Sequence, residues 1–167
     1  MQIRNIHERE FDLPMADVGA LIDTLASKRD RLWPHDKWPP MRFDRALGVG
    51  ALGGHGPIRY TVEEYRPGRF VQFRFLAPRG FKGVHRFEVE KWHGRTVLRH
   101  VLEMRPSGLA KLRWLLVIRP LHDALLEDCM DRASAALGVP VENLARWSTT
   151  VKVLRAILRA LTGNSAR

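Results

Sequence analysis

The stretch Ser107-Gly108-Leu109-Ala110-Lys111-Leu112-Arg113-Trp114-Leu115-Leu116-Val117-Ile118-Arg119-Pro120 runs on from Leu121 to Leu137 with little punctuation. Leu109, Leu112, Leu115, Leu116, Leu121, Leu125, Met130, Ala133 and Leu137 recur at helical spacing, which predicts one apolar stripe along it. Pro120 has no backbone N–H to donate, and its ring crowds the preceding turn. The sequence therefore predicts a short helix, a break near Arg119-Pro120, and a second helix to Leu137. Gly138 can take a left-handed cap, and Pro140 cannot continue the helix. Between Met41 and Met104 the pattern is one of strands and hairpins. A sheet with one apolar face must bury it, and the 107–137 helix is the partner the chain offers.

Two hairpins carry the sheet. Ile58 to Tyr65 and Arg69 to Leu76 flank Arg66-Pro67-Gly68-Arg69, where Pro-Gly favours a type II turn. With Pro67 and Gly68 central, Val62 faces Phe73, Tyr60 faces Phe75 and Glu64 faces Val71 on the inner side. Thr61 with Arg74 and Glu63 with Gln72 form the wet side. Phe81 to Trp92 and Arg95 to Met104 flank His93-Gly94. A two-residue turn there pairs Glu88 with Arg99 outside. It places Val89 with Leu98, Phe87 with His100, and His85 with Leu102 inside. A slip of one residue would exchange the two faces.

Outward from the hairpins, residues 2–11 read as a first strand ending in Phe11. Asp12-Leu13-Pro14 leads into a helix with the stripe Met15, Val18, Leu21, Ile22 and Leu25, fading near Arg31. Leu32 to Pro40 is a proline-rich loop whose Trp33 and Trp38 need apolar cover. Residues 42–48 suggest a short strand, and the glycine-rich stretch from Gly48 to Gly56 a mobile or bulged one. That stretch lacks the strand-then-helix setting of a phosphate loop. After Pro140, Leu144, Trp147, Val151, Leu154, Ile157, Leu158 and Leu161 form a stripe, with Lys152, Arg155 and Arg159 opposite. This predicts a basic amphipathic helix over 142–162 and a frayed tail. The division that follows is 1–138 and 139–167.

The chain has 167 residues, a formal net charge of +10 and a single cysteine. The charge raises the question of nucleic acid or anionic membrane. The basic residues are spread along the chain, and no zinc-finger spacing or RNA-recognition aromatic motif accompanies them, which argues against nucleic acid. No run of about 18 apolar residues spans a membrane, and the first residues lack a signal's apolar core. The expectation is a cytoplasmic protein. Cys129, on the apolar helix, is expected to be a packed thiol.

The order of elements resembles the START and polyketide-cyclase-like superfamily (SRPBCC), whose fold is called a helix-grip. The resemblance rests on Asp12-Leu13-Pro14, the Trp33-Pro34 loop, the two hairpins and the Ser107–Leu137 helical region. The segment His55-Gly56-Pro57-Ile58-Arg59-Tyr60-Thr61-Val62-Glu63-Glu64-Tyr65-Arg66-Pro67-Gly68 is similar to the family's central hairpin. It covers about residues 1–137; residues 141–167 extend past the usual end of that fold. The resemblance implies an α+β fold in which a curved antiparallel sheet wraps a long C-terminal helix, with an extra amphipathic helix appended. It also implies a cavity between sheet and helix. Members bind lipids, sterols, polyketides or other apolar molecules, and a few catalyse cyclisation or dehydration. No catalytic motif comes with it.

The strand registers give the candidate binding face: Tyr60, Val62, Phe73, Phe75, His85, Phe87, His100 and Leu102. A pocket that is mostly apolar with few polar groups suits a small apolar or amphipathic ligand. His85 and His100 can each offer one directed hydrogen bond or, in a cyclase-type enzyme, act as acid–base. The first expectation is binding of such a molecule, with no cofactor. The alternatives are a polyketide cyclase or dehydratase using a cavity histidine, or binding to an anionic membrane or nucleic acid through residues 142–162. The same helix can instead dock on its own domain or form a homodimer. His35, Asp36 and His55 are metal-ligand types in different loops, with no spacing that joins them, so no metal is expected. His122 and Asp123 read as a solvated pair. Ser107, Ser134 and Ser148 lack a nucleophile's turn.

Overall fold

The computed structural model describes residues 2–163, with side chains through residue 160. The tail expected after residue 162 falls mostly on 164–167, outside the described residues, as does the side chain of Leu161. Strand β1 (Ile3–Phe11) is followed by helix α1 (Met15–Asp23) and strands β2 (Arg42–Phe43), β3 (Leu52–His55), β4 (Ile58–Arg66), β5 (Phe70–Ala77), β6 (Gly83–Trp92) and β7 (Arg95–Met104). Helix α2 (Ala110–Arg113), a π-helical segment Trp114–Ile118 and helix α3 (Arg119–Ala136) then form one helical run, and α4 (Thr149–Gly163) closes the chain. The seven strands make one antiparallel sheet in the order β1-β7-β6-β5-β4-β3-β2.

The second hairpin has the register that its charges and apolar residues dictate. Glu88 faces Arg99, Val89 faces Leu98, Phe87 faces His100 and His85 faces Leu102. His93 and Gly94 both have positive φ, 46° and 80°, the geometry that matches strand twist in a two-residue turn. In the first hairpin Val62 faces Phe73 and Tyr60 faces Phe75 as expected, but Glu64 faces Gln72 and Tyr65 faces Val71. The turn holds one more residue than expected, so Phe70 rather than Arg69 faces Arg66. A bulge at Glu63 then restores the register. The Glu63 carboxylate is held from β5 by Arg74 and by Gln72 at 3.0 Å.

Pro120 does not break the helix. It sits in the first turn of α3, where its missing N–H costs least, and the preceding turn widens to π geometry. The single stripe expected across this run fails at its start. Leu109, Leu112, Leu115 and Leu116 are exposed, while Trp114 and Ala110 face inward. Further along, Leu125, Leu126, Cys129, Met130 and Ala133 are buried. Cys129 is the packed thiol expected, and burial pushes its pKa well up. Gly138 takes φ +70° just past the helix end.

Other differences have local causes. Helix α1 stops well short of Arg31, because the Thr24 hydroxyl donates to the Leu21 carbonyl at 2.7 Å. The buried Asp30 carboxylate then accepts from the backbone N–H groups of Ala26, Leu32 and Trp33. The strand expected over 42–48 is only Arg42–Phe43, and the glycine stretch supplies strand β3 instead. A Cβ on Gly53 would lie 2.0 Å from the Arg42 carbonyl oxygen, so glycine is what lets β2 and β3 approach. The last helix starts at Thr149, capped by the Ser148 hydroxyl, rather than at residue 142. Arg155, expected on its polar side, is buried between the rings of Trp38 and Trp147 at 4.1 and 4.0 Å. Asp128 on α3, fully buried, ties this region together. It accepts from Lys37 Nζ (2.7 Å), Trp38 Nε1 (2.7 Å) and Trp147 Nε1 (2.8 Å).

Candidate functional site

Strand alternation brings all eight expected binding-face residues to the side of the sheet that faces the helices. Tyr60, Val62, Phe73, His85, Phe87, His100 and Leu102 are buried there, and Phe75 is half-buried. Their rings pack on one another. Phe73 and Phe75 stack on the His85 ring at 4.9 and 4.8 Å, Tyr60 meets it edge-on at 4.8 Å, and Phe87 meets His100 at 4.8 Å. Two surface depressions are described elsewhere. One of about 340 Å3 lies at the β2–β4 edge between Arg42, Phe43, His55 and Arg59. The other, of about 300 Å3, lies between α1 and the end of α3.

The polar groups of this face form a line. His85 Nδ1 and His100 Nε2 are 3.3 Å apart, a hydrogen bond whose direction depends on the tautomers. The outer nitrogens, His85 Nε2 and His100 Nδ1, are buried and have no protein partner. On the β4 side, the Tyr60 ring leads to His55, with Tyr60 Oη 3.1 Å from His55 Nδ1. On the β1 side, the His100 ring lies 5.2 Å from His122 of α3, which lies 5.9 Å from His7. Five of the seven histidines thus cross the interior.

Burial sets their charge. It pulls His85 and His100 well below the ordinary value of 6.5, with neighbouring imidazoles adding to the effect. It pulls His55 down to about 3. The Tyr60 phenol is pushed well up by burial. At neutral pH the face is therefore uncharged, each imidazole holding one N–H donor and one lone pair. The line ends at His7, where the shift is reversed. There burial is outweighed by hydrogen bonds to Asp123 and Glu127, and the net shift is upward.

The line also divides the apolar interior. On one side lies the main core under α1 and α3. On the other lies a smaller cluster of Phe81, Leu102, Met104, Ala110 and Trp114, with Ile3, Phe75 and Ile118 packed against it.

His7, His55 and His122 were not singled out by the sequence as site residues. His122 and Asp123 are not a solvated pair: the His122 side chain is 13% exposed, against 34% for Asp123. A usable signal was present. Asn5, His7 and Arg9 alternate on β1, and Asp123, Glu127 and Asp131 recur every four residues on α3. Asn5 donates to Asp123 at 2.9 Å, His7 Nδ1 lies 2.7 Å from Glu127 Oε1, and Arg9 donates to Asp131 at 3.0 Å. His35 stays apart, near Arg132.

No known family's sequence profile matches this chain, and no curated protein matches it. Solved structures do. CalU16 from Micromonospora echinospora is 13% identical and aligns over 98% of this chain and 89% of its own, with a TM-score of 0.56. Ara h 8.0201 is 8% identical over 83% of this chain and 99% of its own, TM-score 0.54. The di-domain aromatase/cyclase StfQ of the steffimycin biosynthetic pathway is 12% identical over 80% of this chain and 50% of its own, TM-score 0.58. The chain shares with these structures the α+β helix-grip fold, a curved antiparallel sheet with a long C-terminal helix. No described helix is long and apolar enough to cross a membrane.

Proposed function

We propose that this protein binds a flat, largely apolar aromatic molecule carrying a hydroxyl or carbonyl group, held between the sheet and the long helix. The observation that carries this reading is the neutral His85–His100 pair, set in an aromatic face with both outer nitrogens unpartnered. An unsatisfied buried nitrogen costs about 1–3 kcal/mol, and a ligand oxygen would remove that cost. The ligand takes its space from the smaller apolar cluster, by movement of Trp114, Phe81 and the helical segment that carries Trp114. That segment presents its leucines outward and holds to the body mainly through Ala110 and Trp114. The fold's occurrence in an aromatase/cyclase agrees with a ligand of this class.

Titration of the purified chain with 2-naphthol and with naphthalene, followed by tryptophan fluorescence, tests it. A hydrogen bond to the pair predicts roughly fivefold or greater preference for the naphthol, from about 1 kcal/mol per bond. The His85→Phe/His100→Leu variant should bind both compounds alike. Equal affinities in the unaltered chain would remove the histidines from recognition.

A second reading is that the pair moves a proton on such a ligand. Its observation is the same N–N contact, which lets one imidazole take a proton while the other returns one. Turnover that survives in the double variant would exclude it.

A further inference from the structure

The far end of the histidine line has a different geometry. His7 of β1 and His122 and Asp123 of α3 each offer one ligand atom, all within 4.8 Å of one another. His7 Nε2 is 3.2 Å from Asp123 Oδ1, and His122 Nδ1 is 3.5 Å from the same oxygen. We propose that these three residues form a binding site for a divalent transition-metal ion of the zinc class. The inference does not depend on the aromatic-ligand reading.

Four observations support it. A zinc ion about 2.0–2.2 Å from each nitrogen and oxygen in a tetrahedral site separates neighbouring ligand atoms by roughly 3.3 Å, which matches both contacts. His122 Nδ1 is buried, and its 3.5 Å contact with Asp123 Oδ1 is too long or poorly aligned to count as a hydrogen bond, so an ion would give it a closer partner. His7 Nδ1 is bound to Glu127 Oε1 at 2.7 Å, which fixes the ring with its Nε2 towards the centre. That is the carboxylate–histidine support common behind metal-bound imidazoles. Asn5 Nδ2 donates to Asp123 Oδ1 at 2.9 Å and orients the carboxylate. Against these stands Arg119, whose Nε lies 3.5 Å from Asp123 Oδ2; its side chain is 56% exposed and can swing into solvent. Two imidazoles and one carboxylate leave at least one coordination position open. Asp123, at 34% exposed, lies on the solvent side of the group.

The test is titration of the chelator-treated full chain with Co2+, read by its visible absorption, and then with Zn2+ in competition. The expected result is one equivalent of Co2+, displaced by Zn2+. His122→Phe and Asp123→Asn should each weaken it tenfold or more. Glu127→Gln should weaken it about ten- to a hundredfold. A His35→Ala/His93→Ala variant, which removes two exposed histidines, should bind as the unaltered chain does. If His122→Phe does not fold, judged by circular dichroism, Asp123→Asn and Glu127→Gln carry the test. No saturable binding up to about 1 mM ion, the limit of a weak site, would overturn the proposal. So would binding that persists in Asp123→Asn and Glu127→Gln.

Discussion

Replacing His85 with Phe should change stability in opposite directions at neutral and acid pH. Phe keeps the ring that stacks between Phe73, Phe75 and Tyr60. Near pH 7.5 the variant loses the bond to His100 Nε2, which costs about 1–3 kcal/mol. Part of this is offset because the unpartnered His85 Nε2 goes with it. Acid reverses the balance. The folded-state pKa of His85 lies well below 6.5, through burial first, whereas the unfolded chain titrates near 6.5. Below that value the unfolded state binds a proton that the folded state refuses, so His85 destabilises the native chain increasingly as pH falls. The effect is about 1.4 kcal/mol per pH unit. The penalty keeps growing until the pH reaches the folded-state value, which burial holds well below the ordinary one. The variant should therefore be the less stable protein near pH 7.5 and equal or more stable near pH 4.5. The difference between the two conditions should be on the order of 1 kcal/mol or more, the effect of one pH unit. Urea unfolding by circular dichroism at both pH values measures it. A stability difference that is the same at both would refute the claim that His85 is held neutral by burial.

Other outcomes follow from the same structure. Asp128→Ala strands three donors around a fully buried position and should cost about 3–5 kcal/mol, with altered fluorescence from Trp38 and Trp147. Gly19→Ala places a Cβ 1.8 Å from the Gly68 carbonyl oxygen. It should lower stability by at least about 1–3 kcal/mol in a urea titration, because α1 must back away from the β4–β5 turn. Leu112→Gln and Leu116→Gln, at side chains 55% and 60% exposed, should each change stability by no more than about 0.5 kcal/mol. A larger loss would mean that these leucines are core after all.

What could be read from the sequence was set by alternation and charge. The β6–β7 register was legible because Glu88–Arg99 outside and the apolar pairs inside agree on one pairing. The β4–β5 pairing was legible in its middle, and failed towards the turn because an extra turn residue and the Glu63 bulge leave no mark in an apolar pattern. Strand β3 was missed because its defining residues, Gly53 and Gly54, act through the absence of side chains. Periodicity alone cannot say which leucines of a helix meet a partner. The sheet reaches only Ala110 and Trp114 at the start of the long run, so Leu109, Leu112, Leu115 and Leu116 stay outside. Arg155 defeated the polar-face rule because two indole rings shelter it. Of the candidate site, the sequence held the apolar face and His85 with His100. His7 and His122 were missed because they meet across an interface between the first strand and the long helix, marked in the sequence only by the matching spacings of Asn5, His7 and Arg9 and of Asp123, Glu127 and Asp131. The stacking of Phe73 and Phe75 on His85 cannot be foreseen from register either, since register fixes which side chains share a face but not how far they reach.

Whether a ligand binds against His85 and His100 is decided by ring-nitrogen NMR of the 15N-labelled chain during titration with 2-naphthol. Binding there should give saturable shifts of His85 Nε2 or His100 Nδ1, with contacts from ligand protons to Phe75 and Trp114. Saturable binding with these nitrogens unmoved, or shifts confined to His55 beside the β2–β4 depression, would contradict it.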